Sequence, residues 1–276
     1  MAAIHHRASP AAMNTSTPAA ACADGVWLVA FADVESRTVE VGTAALHVGV
    51  TGRGPDVVVL TGGPGCVQYL ERDEISPLGH RAWHPEPRGV GRSGGGPHTM
   101  QDAIEDLESI RMGIGVATWI VVGHSWGCDL AVRYAVEHPE VVTAVVGIAG
   151  RGPQRDRTWS EAYEAGKASE PTVDIDWVPE VHAALGASFT EWIHRPDLWR
   201  GLAACDVPMH FIAAGDDIRP SWPLVQLAEL VPRGRFSLVP GVPHDFWFTH
   251  PETWAKTVTD ACNATGGVAL WDRRTR

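Results

Sequence analysis

The chain has 276 residues, and its 33 acidic and 22 basic side chains give a formal net charge of −11. This length fits one α/β domain of roughly 250 residues. The acidic balance, without a basic block, argues against nucleic acid or an anionic membrane surface as a partner. A membrane-spanning helix needs about 18 consecutive apolar residues, and the sequence contains no such run.

The cysteines and the N-terminal residues bear on the cellular compartment of the protein. The five cysteines are scattered and form no C-x-x-C pair, so we expect reduced thiols and a cytoplasmic protein. Residues 1–24 are rich in Ala, Ser, Thr and Pro and lack a continuous apolar segment. This composition predicts a disordered tail rather than a secretory signal. Met13 is an alternative start within it, and residues 266–276 form a second predicted tail.

Strand and helix patterns alternate along most of the chain. In chain order, strands are predicted at 44–50, 56–60, 80–84, 119–122, 141–148, 209–213 and 235–239. Helical patterns fall at 100–112, 126–138, 222–230 and 252–262. Strands that alternate with helices form βαβ units. The predicted fold class is therefore α/β, with a mostly parallel sheet flanked by helices.

This alternation stops at Gly150. Residues 151–201 are polar, contain four tryptophans and show no strand pattern. An insertion of about 50 residues within a sheet domain is typical of a functional lid. We therefore predict a helical cap at 151–201, inserted after the strand at 141–148, and an α/β core at 25–150 and 202–265.

The strongest chemical motif is Gly123-His124-Ser125-Trp126-Gly127, which follows a predicted strand and opens a predicted helix. A G-x-S-x-G sequence in this context is a nucleophile elbow, in which a sharp turn exposes the serine above the carboxyl ends of the strands. Ser125 is therefore the candidate nucleophile.

A serine nucleophile needs a base that is oriented by an acid, and in this architecture they follow in the order Ser, acid, His. His244 lies in the loop after the strand at 235–239 and is the candidate base. The acid is expected after the strand at 209–213, where Asp216 and Asp217 stand side by side. We favour Asp217, and Asp216 remains the alternative.

A glycine-rich run, Thr61-Gly62-Gly63-Pro64-Gly65, directly follows the strand at 56–60. Backbone N–H groups in such a loop can stabilise the negative charge that develops on a substrate oxygen. The predicted oxyanion donors are the amides of Gly63 and of Trp126, the residue after the nucleophile.

Two other patterns suggest cofactors. Residues 89–94 match G-x-G-x-x-G, but prolines interrupt the approach and the next helix begins too late for a dinucleotide site. His80 and His84 stand four apart on a strand, where this spacing does not converge on a metal. We therefore expect no cofactor and no metal.

Together these motifs resemble those of the α/β-hydrolase superfamily, and within it the proline iminopeptidase-like serine hydrolases. The resemblance covers roughly residues 44 to 262 and is weakest in the predicted cap. The sequences that carry it are Gly62-Gly63-Pro64-Gly65, Pro87-Arg88-Gly89-Val90-Gly91-Arg92-Ser93, Asp106-Leu107-Glu108-Ser109-Ile110-Arg111, Gly123-His124-Ser125-Trp126-Gly127 and the stretch 131–140. The sequence departs from the family at Thr61, where a histidine is usual, and at His124, where glycine is more common.

The resemblance implies a serine hydrolase with an acyl-enzyme mechanism, first of all an aminopeptidase acting on a small-molecule or short-peptide substrate. Enzymes of this group bind the free α-amino group of the substrate through cap carboxylates, and the candidates here are Glu161 and Glu164. An esterase or lactonase acting on a small acyl substrate is the alternative. A relative that binds a ligand without catalysis is a third possibility.

Overall fold

The computed structural model describes residues 35–154 and 156–265. The predicted tails at 1–24 and 266–276 lie outside these residues. Among the described residues, no helix has both the length and the apolar character that crossing a membrane requires.

Eight strands form one sheet in the order β1-β2-β4-β3-β5-β6-β7-β8. The pairs β1–β2 and β2–β4 are antiparallel, and the other neighbours are parallel. The strands are β1 Glu35–Val41, β2 Ala44–Gly52, β3 Asp56–Leu60, β4 Arg81–Pro85, β5 Trp119–His124, β6 Val142–Ile148, β7 Met209–Ala214 and β8 Gly234–Val239. The mostly parallel α/β sheet predicted from the sequence is confirmed.

Helices follow most of the parallel strands. They are α1 Met100–Gly113, α2 Trp126–Glu137, α3 Arg157–Gly166, α4 Pro179–Ile193, α5 Leu198–Ala204, α6 Trp222–Leu230, α7 Phe246–Thr249 and α8 Pro251–Thr265, with short 3₁₀ turns at Asp73–Ile75 and Lys167–Ser169. Helix α1 begins at a capping box, because the Thr99 hydroxyl accepts from the Asp102 N–H while the Asp102 carboxylate accepts from the Thr99 N–H.

The central strands are buried on both faces of the sheet. Along β3, Val58 and Leu60 pack into the core shared with α1 and α2, whereas Val57 and Val59 pack into the core beneath α8. Alternate side chains of a strand point to opposite faces. A strand covered by helices on both sides is therefore apolar throughout, which explains the run Val57-Val58-Val59-Leu60.

The region between β6 and β7, residues 149–154 and 156–208, is here called the insertion. It carries α3, α4 and α5. Helix α5 continues to Ala204, past the boundary predicted at 201, because it buries Leu198 and Leu202 in the main core. Helix α4 also buries Leu185 and Phe189 there. These helices thus share the core of the sheet domain.

His84 and His210 are buried in the sheet away from the Ser125 turn. The Nε2 atom of His84 on β4 lies 2.9 Å from the Thr51 hydroxyl, and that of His210 on β7 lies 2.8 Å from the Ser237 hydroxyl. Burial lowers the pKa of His84 to about 3 and that of His210 to about 4. Both imidazoles are therefore neutral in the folded chain at neutral pH.

We expect the free energy of unfolding to fall as the pH falls below 6.5. In the unfolded chain, the imidazoles of His84 and His210 bind a proton near pH 6.5. In the folded chain, they bind it only near pH 3 to 4. The contribution of these two neutral histidines to the free energy of unfolding is complete above pH 6.5 and is lost progressively towards pH 4. By pH 5 each histidine should lower the free energy of unfolding by about 2 kcal/mol relative to neutral pH.

Urea unfolding at pH 7 and pH 5 measures this loss. His210→Gln should reduce the difference between the two pH values, whereas His250→Gln, at an exposed position, should leave it unchanged. Equal unfolding free energies of the unsubstituted chain at both pH values would contradict the prediction.

Candidate active site

Ser125 lies in a sharp turn between β5 and α2. Its backbone has φ 54° and ψ −122°, a conformation that L-residues with a side chain rarely adopt and that costs about 1–3 kcal/mol. Two hydrogen bonds hold the turn, from the Ser125 N–H to the Ile148 carbonyl at 2.8 Å and from the Cys128 N–H to the Ser125 carbonyl at 3.0 Å. The neighbouring strand and the first turn of α2 thus fix the strained residue.

The glycines on either side of this turn are required by close packing. A Cβ on Gly123 would lie 2.2 Å from the Gly127 carbonyl oxygen, and a Cβ on Gly127 would lie 2.5 Å from the Leu60 carbonyl oxygen. Backbone atoms cannot move aside as a flexible side chain could. The spacing of the G-x-S-x-G motif therefore has a steric cause in this chain.

His244 lies between Ser125 and Asp217. Its Nε2 atom is 3.0 Å from the Ser125 Oγ, and its Nδ1 atom is 2.6 Å from the Asp217 Oδ2. Ser125 follows β5, Asp217 follows β7 and His244 follows β8. All three residues therefore come from loops at the carboxyl edge of the parallel strands. The structure thus brings together the predicted nucleophile, acid and base.

The two neighbouring aspartates have different surroundings. The side chain of Asp217 is 6% exposed and contacts His244. Asp216 is exposed, and its backbone N–H donates to the Val242 carbonyl. Asp217 is therefore the residue in contact with the imidazole, and Asp216 belongs to the turn.

The Asp217 carboxylate is held in its ionised form. Burial alone would raise its pKa, but the hydrogen bond from His244 and the positive charges of His244 and Arg219 outweigh burial and lower the pKa to about 2. A carboxylate that stays charged beside an imidazole stabilises the imidazolium that forms when His244 accepts a proton.

The glycine loop, residues 61–67, packs directly against the nucleophile. A Cβ on Gly62 would lie 2.6 Å from the Ser125 Cβ. The next residue, Gly63, has φ 55°, a left-handed conformation that glycine adopts at little cost. Trp126 is the first residue of α2, and the first amides of a helix have no carbonyl partner within the helix. The two predicted oxyanion donors therefore lie on the segments that flank Ser125.

Comparison with known proteins identifies this architecture. Residues 55–174 match the family described as the alpha/beta hydrolase fold. The crystal structure of the proline iminopeptidase of Mycobacterium smegmatis superposes with a TM-score of 0.62, covering 84% of this chain and 98% of that chain at 20% sequence identity. The chain has the α/β-hydrolase fold.

Another α/β-hydrolase structure, E-2-(acetamidomethylene)succinate hydrolase, also has a TM-score of 0.62, at 19% identity over 82% of this chain and 98% of that chain. At such identities the likeness shows the fold alone. The family resemblance and the fold class predicted from the sequence are confirmed.

Curated relatives match part of this chain at higher sequence identity. The proline iminopeptidase of Xylella fastidiosa strain 9a5c is 40% identical over 101 residues, which is 34% of this chain and 31% of the relative. The probable proline iminopeptidase of Streptomyces coelicolor is 38% identical over 103 residues, which is 34% of this chain and 32% of the relative. The chain thus matches about a third of the length of these relatives.

Arg219 links the loop that carries Asp217 to the insertion. Its backbone N–H and its Nη1 atom each lie 2.9 Å from the Asp217 Oδ1, and its guanidinium contacts the Glu170 carboxylate at 2.5 and 3.1 Å. The guanidinium carbon also lies 5.0 Å from the ring centroid of Tyr163. No local sequence pattern indicates this contact, because 49 residues separate Arg219 from Glu170.

The two predicted amine-binding carboxylates are on the surface of the insertion. Glu161 is exposed, and Glu164, which is 63% exposed, pairs with Lys167. Helix α3 instead buries Trp159 and directs Tyr163 towards Arg219. The face of α3 that packs inward thus carries aromatic residues. A role of Glu161 and Glu164 in binding a substrate amine stays a prediction.

A small apolar cavity of about 60 Å³ borders the glycine loop. Its walls include Leu60, Thr61, Trp126 and Leu185, and the ion pair of Arg88 with Asp106 lies at one side. Ser125 is not among its lining residues, although Trp126 is its chain neighbour. The lining is mainly apolar, so the cavity suits an apolar group.

His124, His244 and Asp245 bring possible metal ligands within 4.8 Å of one another. However, His124 hydrogen bonds through both ring nitrogens to Tyr69 and to the His244 carbonyl. Both nitrogens of His244 are also engaged, with Asp217 and Ser125. A metal ion at this group would have to break those contacts, so the donor set does not fit a resident metal.

Proposed function

We propose that this chain is a serine hydrolase that works through an acyl-enzyme. The observation that carries the proposal is the position of His244, with one ring nitrogen 3.0 Å from the Ser125 hydroxyl and the other 2.6 Å from the Asp217 carboxylate. This is the arrangement in which a weak serine nucleophile gains a general base and the base gains an orienting acid.

The first half of the reaction forms the acyl-enzyme. Ser125 Oγ attacks the substrate carbonyl carbon while His244 Nε2 takes the hydroxyl proton, and the carbonyl π electrons move onto oxygen. The amides of Gly63 and Trp126 stabilise this oxyanion. As the tetrahedral intermediate collapses, His244 returns the proton to the leaving group and the bond to the leaving group breaks.

The second half releases the acid. Water attacks the acyl carbon, His244 takes a proton from the water, and the second tetrahedral intermediate collapses as that proton passes to Ser125 Oγ. Asp217 stays ionised throughout, because its pKa is about 2. Each step uses groups of the chain and water, and none requires a metal or an organic cofactor.

Two substrate classes have support from different observations. The names of the curated relatives favour a proline iminopeptidase, which removes an N-terminal proline. An aminopeptidase must bind the substrate's ammonium group, and a cation in a partly closed site needs a carboxylate partner. Glu161 and Glu164 are exposed, and the partly buried Glu170 is already paired with Arg219.

Because these three carboxylates are either exposed or already paired, they favour the second candidate, an esterase or lactonase acting on a small neutral acyl group. The cavity of about 60 Å³ beside Trp126 also suits a short acyl chain. We infer that neutral esters with short acyl groups are better substrates than amides that carry a free N-terminal amine.

A substrate panel tests this ranking. We expect a larger kcat/KM for p-nitrophenyl acetate and butyrate than for the p-nitroanilide of proline. Leaving groups differ in reactivity, so p-nitrophenyl esters of proline and of N-acetylproline provide the matched control. The N-acetylated ester should be hydrolysed at least as well as the free-amine ester. A strong preference for the free-amine substrate in both comparisons, the simple esters against the proline anilide and the N-acetylproline ester against the proline ester, would instead favour the aminopeptidase.

A further inference from the structure

A buried chain of hydrogen bonds runs beneath the nucleophile. The Tyr69 hydroxyl lies 2.7 Å from the Gly62 backbone nitrogen and 2.7 Å from the Nδ1 atom of His124. The Nε2 atom of His124 lies 3.1 Å from the backbone carbonyl oxygen of His244. Tyr69, His124 and His244 are all less than 7% exposed. The chain thus connects the glycine loop to the loop that carries the proposed base.

The partners fix the direction of every bond in this chain. The His244 carbonyl can only accept, so the proton of His124 resides on Nε2. The Nδ1 atom of His124 is then an acceptor for the Tyr69 hydroxyl, and the Tyr69 oxygen accepts the Gly62 N–H. Each donor has one acceptor, and the sequence of bonds runs in one direction.

This arrangement requires a neutral His124. Burial, together with repulsion from His244 when that imidazole is protonated, lowers the pKa of His124 to about 4, against the opposing influence of Asp245 and Asp217. Near neutral pH the imidazole therefore holds one proton, and its second nitrogen is available to the Tyr69 hydroxyl.

The ring of Tyr69 is held as tightly as its hydroxyl. It stacks on the indole of Trp247 with a centroid separation of 4.6 Å and meets the His124 ring edge-on at 6.0 Å. Trp247 is fully buried. The hydroxyl therefore has little freedom to move away from Gly62, and the Thr61–Gly62 peptide, directly before the peptide that carries the Gly63 amide, is fixed with it.

We propose that Tyr69 and His124 are positioning residues that hold the glycine loop against Ser125 and so aim the Gly63 amide at the substrate oxyanion. The inference rests on the proposed serine hydrolase mechanism. The Thr61 hydroxyl lies 3.4 Å from the Val67 carbonyl oxygen of the same loop, and Tyr69 and His124 hold the loop from below.

The decisive variant is Tyr69→Phe, which removes one hydroxyl and keeps the stacked ring. We expect kcat for p-nitrophenyl acetate to fall about 10- to 100-fold, somewhat less than the loss of an oxyanion donor itself, with KM within twofold. The rate must be divided by the fraction of sites that react with a fluorophosphonate, so that unfolded protein does not count as slow enzyme.

Tyr134→Phe is the matched control, because it removes another buried hydroxyl, one that donates to Glu108 on α1. Both variants lose a buried hydrogen bond and should lose similar amounts of melting temperature. Only Tyr69→Phe should lose kcat per titrated site. A merely structural role of Tyr69 predicts equal, unchanged kcat per titrated site in both variants, and that result would overturn the inference.

A second pair of variants protects the test if Tyr69→Phe fails to fold. His124→Asn keeps a side-chain acceptor near the position of Nδ1, whereas His124→Leu keeps none. We expect His124→Asn to retain more kcat per titrated site than His124→Leu. Equal rates in this pair would refute the positioning role of the hydrogen-bond chain. The unsubstituted chain reports separately on the proposed function: if it neither reacts with fluorophosphonate nor hydrolyses the ester, the serine hydrolase mechanism itself is wrong.

Discussion

Ser125→Ala is expected to abolish ester turnover and covalent reaction with a fluorophosphonate. The variant removes the only atom proposed to form a bond with the acyl group, and the loss of a triad serine costs on the order of 10⁶-fold in kcat. The fold should persist, because the turn is held by backbone hydrogen bonds of Ser125 and Cys128 and by close packing at Gly123 and Gly127. Steady-state kinetics and mass spectrometry of the labelled peptide measure the two effects.

The control for this substitution is Ser169→Ala, which removes an exposed hydroxyl bonded to the Gly166 carbonyl. It should retain full turnover and full labelling at Ser125. Labelling of a different serine would show that the nucleophile is misassigned. Absence of labelling in the unsubstituted chain would instead favour a relative that binds a ligand without catalysis.

Asp217→Asn is expected to lower kcat by about 10⁴-fold with a small change in KM. Replacement of the orienting acid by its amide removes the negative charge beside the imidazole and favours the wrong tautomer, and a loss of this size is known for a serine triad. In this chain the effect should be large because Asp217 is 6% exposed and lies 2.6 Å from His244. Initial rates with p-nitrophenyl acetate at pH 7.5 provide the measurement.

Asp216→Asn is the neighbouring control. Asp216 is exposed and contributes a backbone N–H to the Val242 carbonyl, which the asparagine keeps. We expect less than a threefold change in kcat. The reverse order of effects would move the acid to Asp216, and small, equal effects from both would remove an acid of this loop from the mechanism.

The sequence predicted the residues of the site that depend on local geometry. Ser125 could be recognised because the turn requires glycines at fixed positions on either side, and the packing distances at Gly123 and Gly127 show why. His244 and Asp217 could be predicted because loops after neighbouring parallel strands meet at one edge of the sheet.

Contacts between distant segments were beyond the reach of sequence patterns. Arg219 and Glu170 are 49 residues apart, and Tyr69 and His124 are 55 apart. Nothing in the local sequence of either partner indicates the other. The exposure of Glu161 and Glu164 could not be predicted either, since helical position alone does not reveal which face of a surface helix packs inward.

The fold shows a similar division. Strands buried on both faces, such as β3 and β5, were evident as apolar runs. Strand β1 was missed because its side chains are mostly exposed and its sequence, ESRTVEV, is polar at the edge of the sheet. Helix α7 was missed because four residues are too few to show a helical period.

The glycine loop and the insertion are bonded to each other by backbone groups. The Val178 N–H donates to the Gly65 carbonyl at 2.8 Å, and the Val67 N–H donates to the Asp176 carbonyl at 3.0 Å. A Cβ on Gly65, which has φ 84°, would lie 2.8 Å from the His182 backbone nitrogen. In protein engineering, the exchangeable module of this scaffold is therefore the insertion together with residues 61–67. A chimera that received a foreign insertion alone would lose the partners of its own glycine loop and, with them, the placement of Gly63 beside Ser125.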